Sequence, residues 1–167
     1  MRRAARRIRT PGAAEQPCPD LVAVAACVGL TVRPILTDGS QPVGRGIGPA
    51  PEARDVLAVL RRDAGAPADL AERALVLAAT LLETGGAARP GAGSDLARAV
   101  LADGRAWAKF AAICKAQGGL REPPEAVQSY EVTSPAAGSV AAIDNRKLAR
   151  LAKLAGAPGN LAAGLTL

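Results

Sequence analysis

Not one of the 167 residues is a histidine. That excludes Ser-His-Asp and Cys-His catalysis, imidazole metal ligation and the commonest general base. What remains for chemistry is a set of arginines, carboxylates, glycines and thiols. The run Gly44-Arg45-Gly46-Ile47-Gly48 is glycine-rich and precedes a helical pattern. There it offers backbone N–H groups and the Arg45 guanidinium to a phosphate at the helix mouth. It lacks the glycine spacing of a dinucleotide fingerprint and the Gly-Lys-Ser/Thr of a P-loop, so the residues favour a structural turn over phosphate contact. Asp38 ends an apolar run, the position where α/β folds place functional groups, yet Asp38-Gly39 is also an ordinary turn pair. Arg45 and Asp38 are the two candidate substrate-binding residues, and no residue qualifies as catalytic or as a metal ligand.

The three cysteines, Cys18, Cys27 and Cys114, are odd in number and widely spaced. They form neither a disulfide framework nor a zinc site, and the cytoplasm is the default compartment. Cys27 and Cys114 fall in apolar helical patterns and read as buried structural thiols rather than nucleophiles. Trp107, Phe110, Ala111 and Cys114 mark one face of a helix, which reads as core rather than a cofactor box.

Several elements must position these groups. Leu21–Val28 reads as a helix ended at Gly29, and Thr31–Leu36 as a buried strand that turns out at Thr37-Asp38-Gly39. Together they make a helix-to-strand step of α/β type. Pro51 and Glu52 open a helix with Val56, Leu57 and Leu60 facing inward and Arg61 and Arg62 at its C-terminal end. From Pro67, Leu70, Ala74, Leu77, Ala78 and Leu81 recur at helical spacing up to Gly85-Gly86. Ser94 is placed to cap a helix bearing Leu96, Val100 and Leu101, which Asp103-Gly104 breaks. Gly118-Gly119 closes the Trp107 helix. Beyond Pro123-Pro124, Tyr130–Thr133 and Ser139–Ile143 read as short strands, and Asp144 caps a last helix with Leu148, Leu151 and Leu154. The expected organisation is a basic disordered leader over 1–20, a first domain part over 21–120, and the start of a second over 121–167.

Composition sets further bounds. Hydrophobic types make up 49% of the chain but include only one Trp, one Phe and one Tyr, so the core must be built from aliphatic and small side chains. A base-stacking nucleic-acid platform is not expected on that ground. Arg2, Arg3, Arg6, Arg7 and Arg9 carry most of the formal charge of +6, and the rest of the chain is nearly neutral. This arm reads as an unstructured leader, with phosphate-backbone binding or organelle targeting as alternatives. The longest apolar run, Leu21–Leu30, is about half of what a bilayer span needs, so no membrane segment is expected.

The run Leu36-Thr37-Asp38-Gly39-Ser40-Gln41-Pro42-Val43-Gly44-Arg45-Gly46-Ile47-Gly48-Pro49-Ala50, continued by Glu52-Ala53-Arg54-Asp55-Val56-Leu57, resembles the strand, loop and helix in the second half of thymidine phosphorylase-type enzymes. Leu101–Ala106 with Lys109-Phe110, Ala116–Gly119, and Gly138–Asp144 leading into the Leu148 helix keep the family's order. The resemblance covers about Leu21 to Leu165 and looks nearest to the branch with archaeal AMP phosphorylases and proteobacterial thymidine phosphorylases. It implies an α/β fold, of which this segment is mostly helical with one buried strand and a small β-rich C-terminal start. It also implies a pentosyltransferase: phosphate, a co-substrate rather than a cofactor, attacks the anomeric carbon of a pyrimidine nucleoside and the base departs, usually in a homodimer.

The family's phosphate loop, a Lys-Ser/Thr step with Gly-Gly, has no match at Lys109, Lys115, Lys147 or Lys153, nor at Gly85-Gly86 or Gly118-Gly119. Its Ser-Gly-Arg and Thr-Gly-Gly-Thr-x-Asp signatures are also missing, and Glu83-Thr84-Gly85-Gly86 resembles the latter only superficially. The expectation is therefore a fragment of the C-terminal half, inactive alone and prone to aggregation or loose packing. One alternative is half of a split enzyme that needs an N-terminal partner chain. The other is a basic-arm nucleic-acid-binding or targeting module.

Overall fold

A computed structural model describes Gly12, Glu15 and residues 17–167. The arginine arm Arg2–Arg9 lies outside these residues. In chain order the elements are α1 (Cys18–Cys27), β1 (Gly46–Ile47), α2 (Pro49–Arg61), α3 (Ala68–Thr84), α4 (Gly93–Ala102), α5 (Arg105–Ala116), α6 (Asn145–Leu154) and β2 (Leu165–Thr166). The chain is thus mostly helical, with one small sheet in which β1 pairs antiparallel with β2, Gly46 opposite Thr166 and Ile47 opposite Leu165.

Glycine and proline set the helix limits where the sequence places them. α1 stops before Gly29, α3 before Gly85-Gly86, and α5 before Gly118-Gly119. Asp144 caps α6, its carboxylate accepting the Arg146 and Lys147 amides at 2.9 and 3.1 Å. Ser94 does not cap α4, because that helix starts one residue earlier, at Gly93, and its N-terminus is satisfied from outside. Glu83 of α3 reaches across and accepts the Gly91 and Gly93 amides with one oxygen, both at 3.0 Å. This requires close approach: a Cβ on Gly93 would lie 2.3 Å from the Ala79 carbonyl oxygen. Arg98 of α4 pairs with Glu72 of α3 through two bonds of 2.8 Å, fixing the same helix pair.

α2 packs against α3 and α5, with the Arg61 guanidinium 4.9 Å from the Trp107 ring centre and Arg62 donating to the Ala102 carbonyl. Trp107, Phe110, Ala111 and Cys114 lie half-buried on one face of α5, as their spacing implies. Along α2 the inward residues are Leu57 and Val59, whereas Val56, expected inside, is exposed. On α3 Leu75 is the buried apolar residue, and Leu77 and Leu81 face out. On α6 Ala152 is buried while Leu151 and Leu154 are exposed. In each helix the sequence allows two apolar stripes, and the packing partners present select the one beside the larger aliphatic residues expected inside.

The strand expected over Thr31–Leu36 does not form; those residues are irregular and mostly exposed, without strand pairing. The same holds for Tyr130–Thr133 and Ser139–Ile143. A strand is defined by a neighbour that takes its N–H and C=O groups, and no described segment supplies one here. Cys27 is exposed, contrary to the buried thiol expected, because no described residue covers that face of α1. Among the described residues no helix is long and apolar enough to cross a membrane.

Candidate functional site

The Gly44–Gly48 loop sits where three parts of the chain meet: the N-terminal turn of α2, the start of α3, and the C-terminal residues. Its backbone N–H groups converge on carboxylates of the chain itself. One Asp55 oxygen accepts the Arg45 and Gly46 amides at 2.6 and 2.7 Å. Asp69 accepts the Gly44 amide at 2.9 Å, and Glu52 the Gly48 amide at 2.8 Å. Four successive or near-successive donors, the kind of nest that binds phosphate, are therefore occupied by side-chain anions from α2 and α3. Glu52 reaches back to the helix's N-cap amide in the manner of a capping box.

The glycines have separate structural reasons. Gly44 and Gly48 have φ of 78° and 122°, a region that disfavours side chains. At Gly46 a Cβ would lie 2.3 Å from the Pro51 carbonyl carbon, so the loop can lie on α2 only without one. On the other side, the Arg45 carbonyl accepts the Leu167 amide at 2.9 Å and the Leu161 carbonyl accepts the Ala50 amide at 3.1 Å. Gly164 presses on the loop as well: its Cβ would be 2.4 Å from the Ile47 carbonyl oxygen. Ala152, Ala157 and Ala163 form a small apolar cluster beneath, with Ile47 and Leu165 against it.

The two candidate residues are placed differently. Arg45 is exposed, and its main chain carries both of its contacts described above. Asp38 accepts the Ser40 amide at 2.8 Å, which with the Ser40 side chain holds its carboxyl below the ordinary value. Its carbonyl accepts from Arg73 at 2.6 Å, and the neighbouring Gly39 carbonyl accepts from Asn145 at 3.0 Å. Gln41 accepts the Ile143 amide at 2.8 Å. The Asp38–Gln41 turn thus ties α3 to the start of α6.

Asp55, Asp69 and Glu83 are residues to which the sequence assigned no role, and Glu52 was read only as opening its helix. The available signal was an acidic residue in the first turn of a helix that follows a glycine loop, which Glu52 and Asp69 both satisfy. Among the described residues no group of three or more Cys, Asp or Glu could hold a metal ion.

Three curated relatives define the kinship. A protein of Polaromonas sp. (strain JS666 / ATCC BAA-500) named "Putative thymidine phosphorylase" is 65% identical over 86% of this chain and 28% of its own length. "Putative thymidine phosphorylase 1" of Acidovorax sp. (strain JS42) is 60% identical over 95% of this chain and 31% of its own. A third relative with the first name, from Parvibaculum lavamentivorans (strain DS-1 / DSM 13023 / NCIMB 13966), is 53% identical over 96% of this chain and 32% of its own. The resemblance to the thymidine phosphorylase family holds. It does so over nearly the whole chain, and the chain spans about 30% of the length of the relatives it matches. No protein-family model matches the chain.

Proposed function

We propose that this chain serves phosphorolysis of the thymidine phosphorylase type, in which phosphate displaces thymine from thymidine to give 2-deoxyribose 1-phosphate, and that it does so as scaffold rather than as the catalytic half. The observation that carries the reading is identity of 53–65% to relatives named for that activity. On this reading residues 21–120 belong to the enzyme's α/β domain and residues 121–167 open its C-terminal domain, in an enzyme that works as a homodimer.

The scaffold role follows from the chemistry. Phosphorolysis needs fixed donors around an anion and a polar group that stabilises the departing base. The array of backbone donors in the Gly44–Gly48 loop, which would suit an anion, is filled by Asp55, Asp69 and Glu52. A phosphate approaching it meets three carboxylates. Among the described residues there is also no buried polar or charged side chain of the kind that would bind a base in a dry pocket.

The test is phosphate-dependent release of thymine from thymidine, followed by absorbance, beside the same assay for adenine release from AMP. The chain alone is expected to give no turnover above the buffer rate. Combined with the polypeptide that the Polaromonas relative carries beyond the matched part, it is expected to release thymine. Turnover by the chain alone overturns the scaffold role and makes Arg45 and Asp38 the first residues to replace. Adenine release from AMP in place of thymine release, or no release of either base from the folded combination, overturns the thymidine assignment.

A further inference from the structure

We infer that the solvent side of α6 docks on an anionic lipid surface, its cations at the headgroups and Leu151 and Leu154 entering the acyl boundary.

Charge is unevenly placed along the chain. All 15 acidic side chains precede Asn145, while residues 145–167 carry four basic ones, Arg146, Lys147, Arg150 and Lys153, and no acid. All four lie on α6, and all are exposed. Among the described residues none of them is ion-paired. The neighbouring Asp144 carboxylate caps the helix through the Arg146 and Lys147 amides and offsets at most one of the four charges.

Helical spacing sorts α6 into three adjacent stripes. Leu148 and Ala152 share the one toward the body, where Ala152 is buried in a cluster with Ala157 and Ala163. Lys147, Leu151 and Leu154 recur at four and three along the next. Arg146, Arg150 and Lys153 do the same along the stripe beyond it. Leu151 is 53% and Leu154 76% exposed, so the water-facing side of α6 presents four cations with two large apolar side chains beside them.

That combination selects the partner. Cations next to exposed leucines call for a surface that is anionic at its outer boundary and apolar just beneath, which is the chemistry of an acidic bilayer. Long Lys and Arg side chains reach the headgroups while their stems and the leucines lie deeper. A nucleic-acid backbone would answer the cations and leave the leucines in water. A second copy of the chain has few acids to offer: Glu52, Asp55, Asp69 and Glu83 are bonded to amides, and Glu72 and Glu122 to arginines. Ten residues of helix are about 15 Å long, too short to span a bilayer, so α6 would lie in the plane of the interface.

The experiment sediments the full chain with vesicles of phosphatidylcholine alone and with vesicles containing about one-third phosphatidylserine. Retention is expected on the anionic vesicles and should fall as salt rises to about 0.5 M. Arg150→Gln with Lys153→Gln should weaken it about 25-fold, since each cation near an anionic bilayer contributes about fivefold. Leu151→Ala with Leu154→Ala should weaken it at least about tenfold, and alanine keeps the helix. Arg89→Gln with Lys109→Gln removes the same charge from exposed positions elsewhere and should change retention by less than about threefold. Leu154→Trp should add blue-shifted emission on the anionic vesicles beyond that of Trp107 in the parent.

Equal retention on the phosphatidylcholine vesicles, or none on either kind, overturns the inference. So does an equal loss in the two charge-removing pairs, or retention that survives either α6 pair, in which case the Arg2–Arg9 arm carries it. Tighter binding to duplex DNA than to anionic vesicles makes nucleic acid the occupant and overturns it as well. Loss of retention when the chain is combined with the polypeptide that the Polaromonas relative carries beyond the match overturns it too, because that polypeptide then covers α6.

Discussion

Removing the Asp55 carboxylate should undo the turn that holds β1 on α2. A single oxygen of Asp55 accepts two amides, those of Arg45 at 2.6 Å and Gly46 at 2.7 Å. Hydrogen bonds to a charged group contribute about 1.5–3 kcal/mol each, and a buried donor left without an acceptor loses its hydration as well. The two amides differ in that respect. Arg45 is exposed, so water replaces the carboxylate there and little is lost. Gly46 is buried against the Pro51 carbonyl, so water replaces the carboxylate less readily there. Asp55→Ala should therefore raise the free energy of the closed loop by about 3 kcal/mol, most of it from Gly46. At 1.4 kcal/mol for each factor of ten, this is roughly a hundredfold in the opening equilibrium. Native-state hydrogen exchange measures it directly: the Gly46 amide should exchange roughly a hundredfold faster in Asp55→Ala than in the parent. Asp63→Ala, which removes a carboxylate that accepts no hydrogen bond from a described residue, should leave it unchanged. Gly46 exchange within about twofold of the parent in Asp55→Ala would refute the claim that this carboxylate closes the loop.

Gly46→Ala should destabilise the same region by about 3 kcal/mol, because the new Cβ would meet three backbone atoms of Pro51 and Glu52 that cannot yield as a side chain can. Gly138→Ala, with open space around it, should stay within about 0.5 kcal/mol, and equal urea midpoints for the two variants would contradict the packing. The chain should also lose structure on the acid side and show no transition between pH 6 and 8, where only a histidine would ordinarily titrate. The Lys147 and Arg146 amides hold the Asp144 carboxyl below its ordinary value of 3.8, so its cap is fully present above that value and fades as pH falls through the lower folded value. The carbon chemical shifts of α6 should follow that loss in the parent and be flat with pH, at reduced helicity, in Asp144→Ala; a parent-like acid profile in the variant would disprove the assignment.

Much of this was legible in the residues. Gly29, Gly85-Gly86 and Gly118-Gly119 announce helix ends because a residue without Cβ takes up the reversed chain there, and Asp144 announces a start because a short carboxylate satisfies first-turn amides. These are local rules, and they need no knowledge of what lies across the fold. The kinship, too, was carried by the sequence, in the run from Leu36 to Leu57.

Contacts between distant segments were decided by the tertiary structure alone. Thr31–Leu36 has a strand's composition, but strand formation belongs to a pair, and the described chain offers it no neighbour. The inward stripes of α2, α3 and α6 depend on which surfaces face them, so Val59, Leu75 and Ala152 replace larger or equally apolar candidates. The glycine loop shows the difference most plainly. Its residues leave a turn or a phosphate contact open, with the turn favoured, and only the approach of Asp55, Asp69 and Glu52 from two helices shows which acceptors satisfy those amides. Donors are written in the sequence one residue at a time, but whether a donor is free depends on which acceptor lies within 3 Å of it, and folding sets that distance.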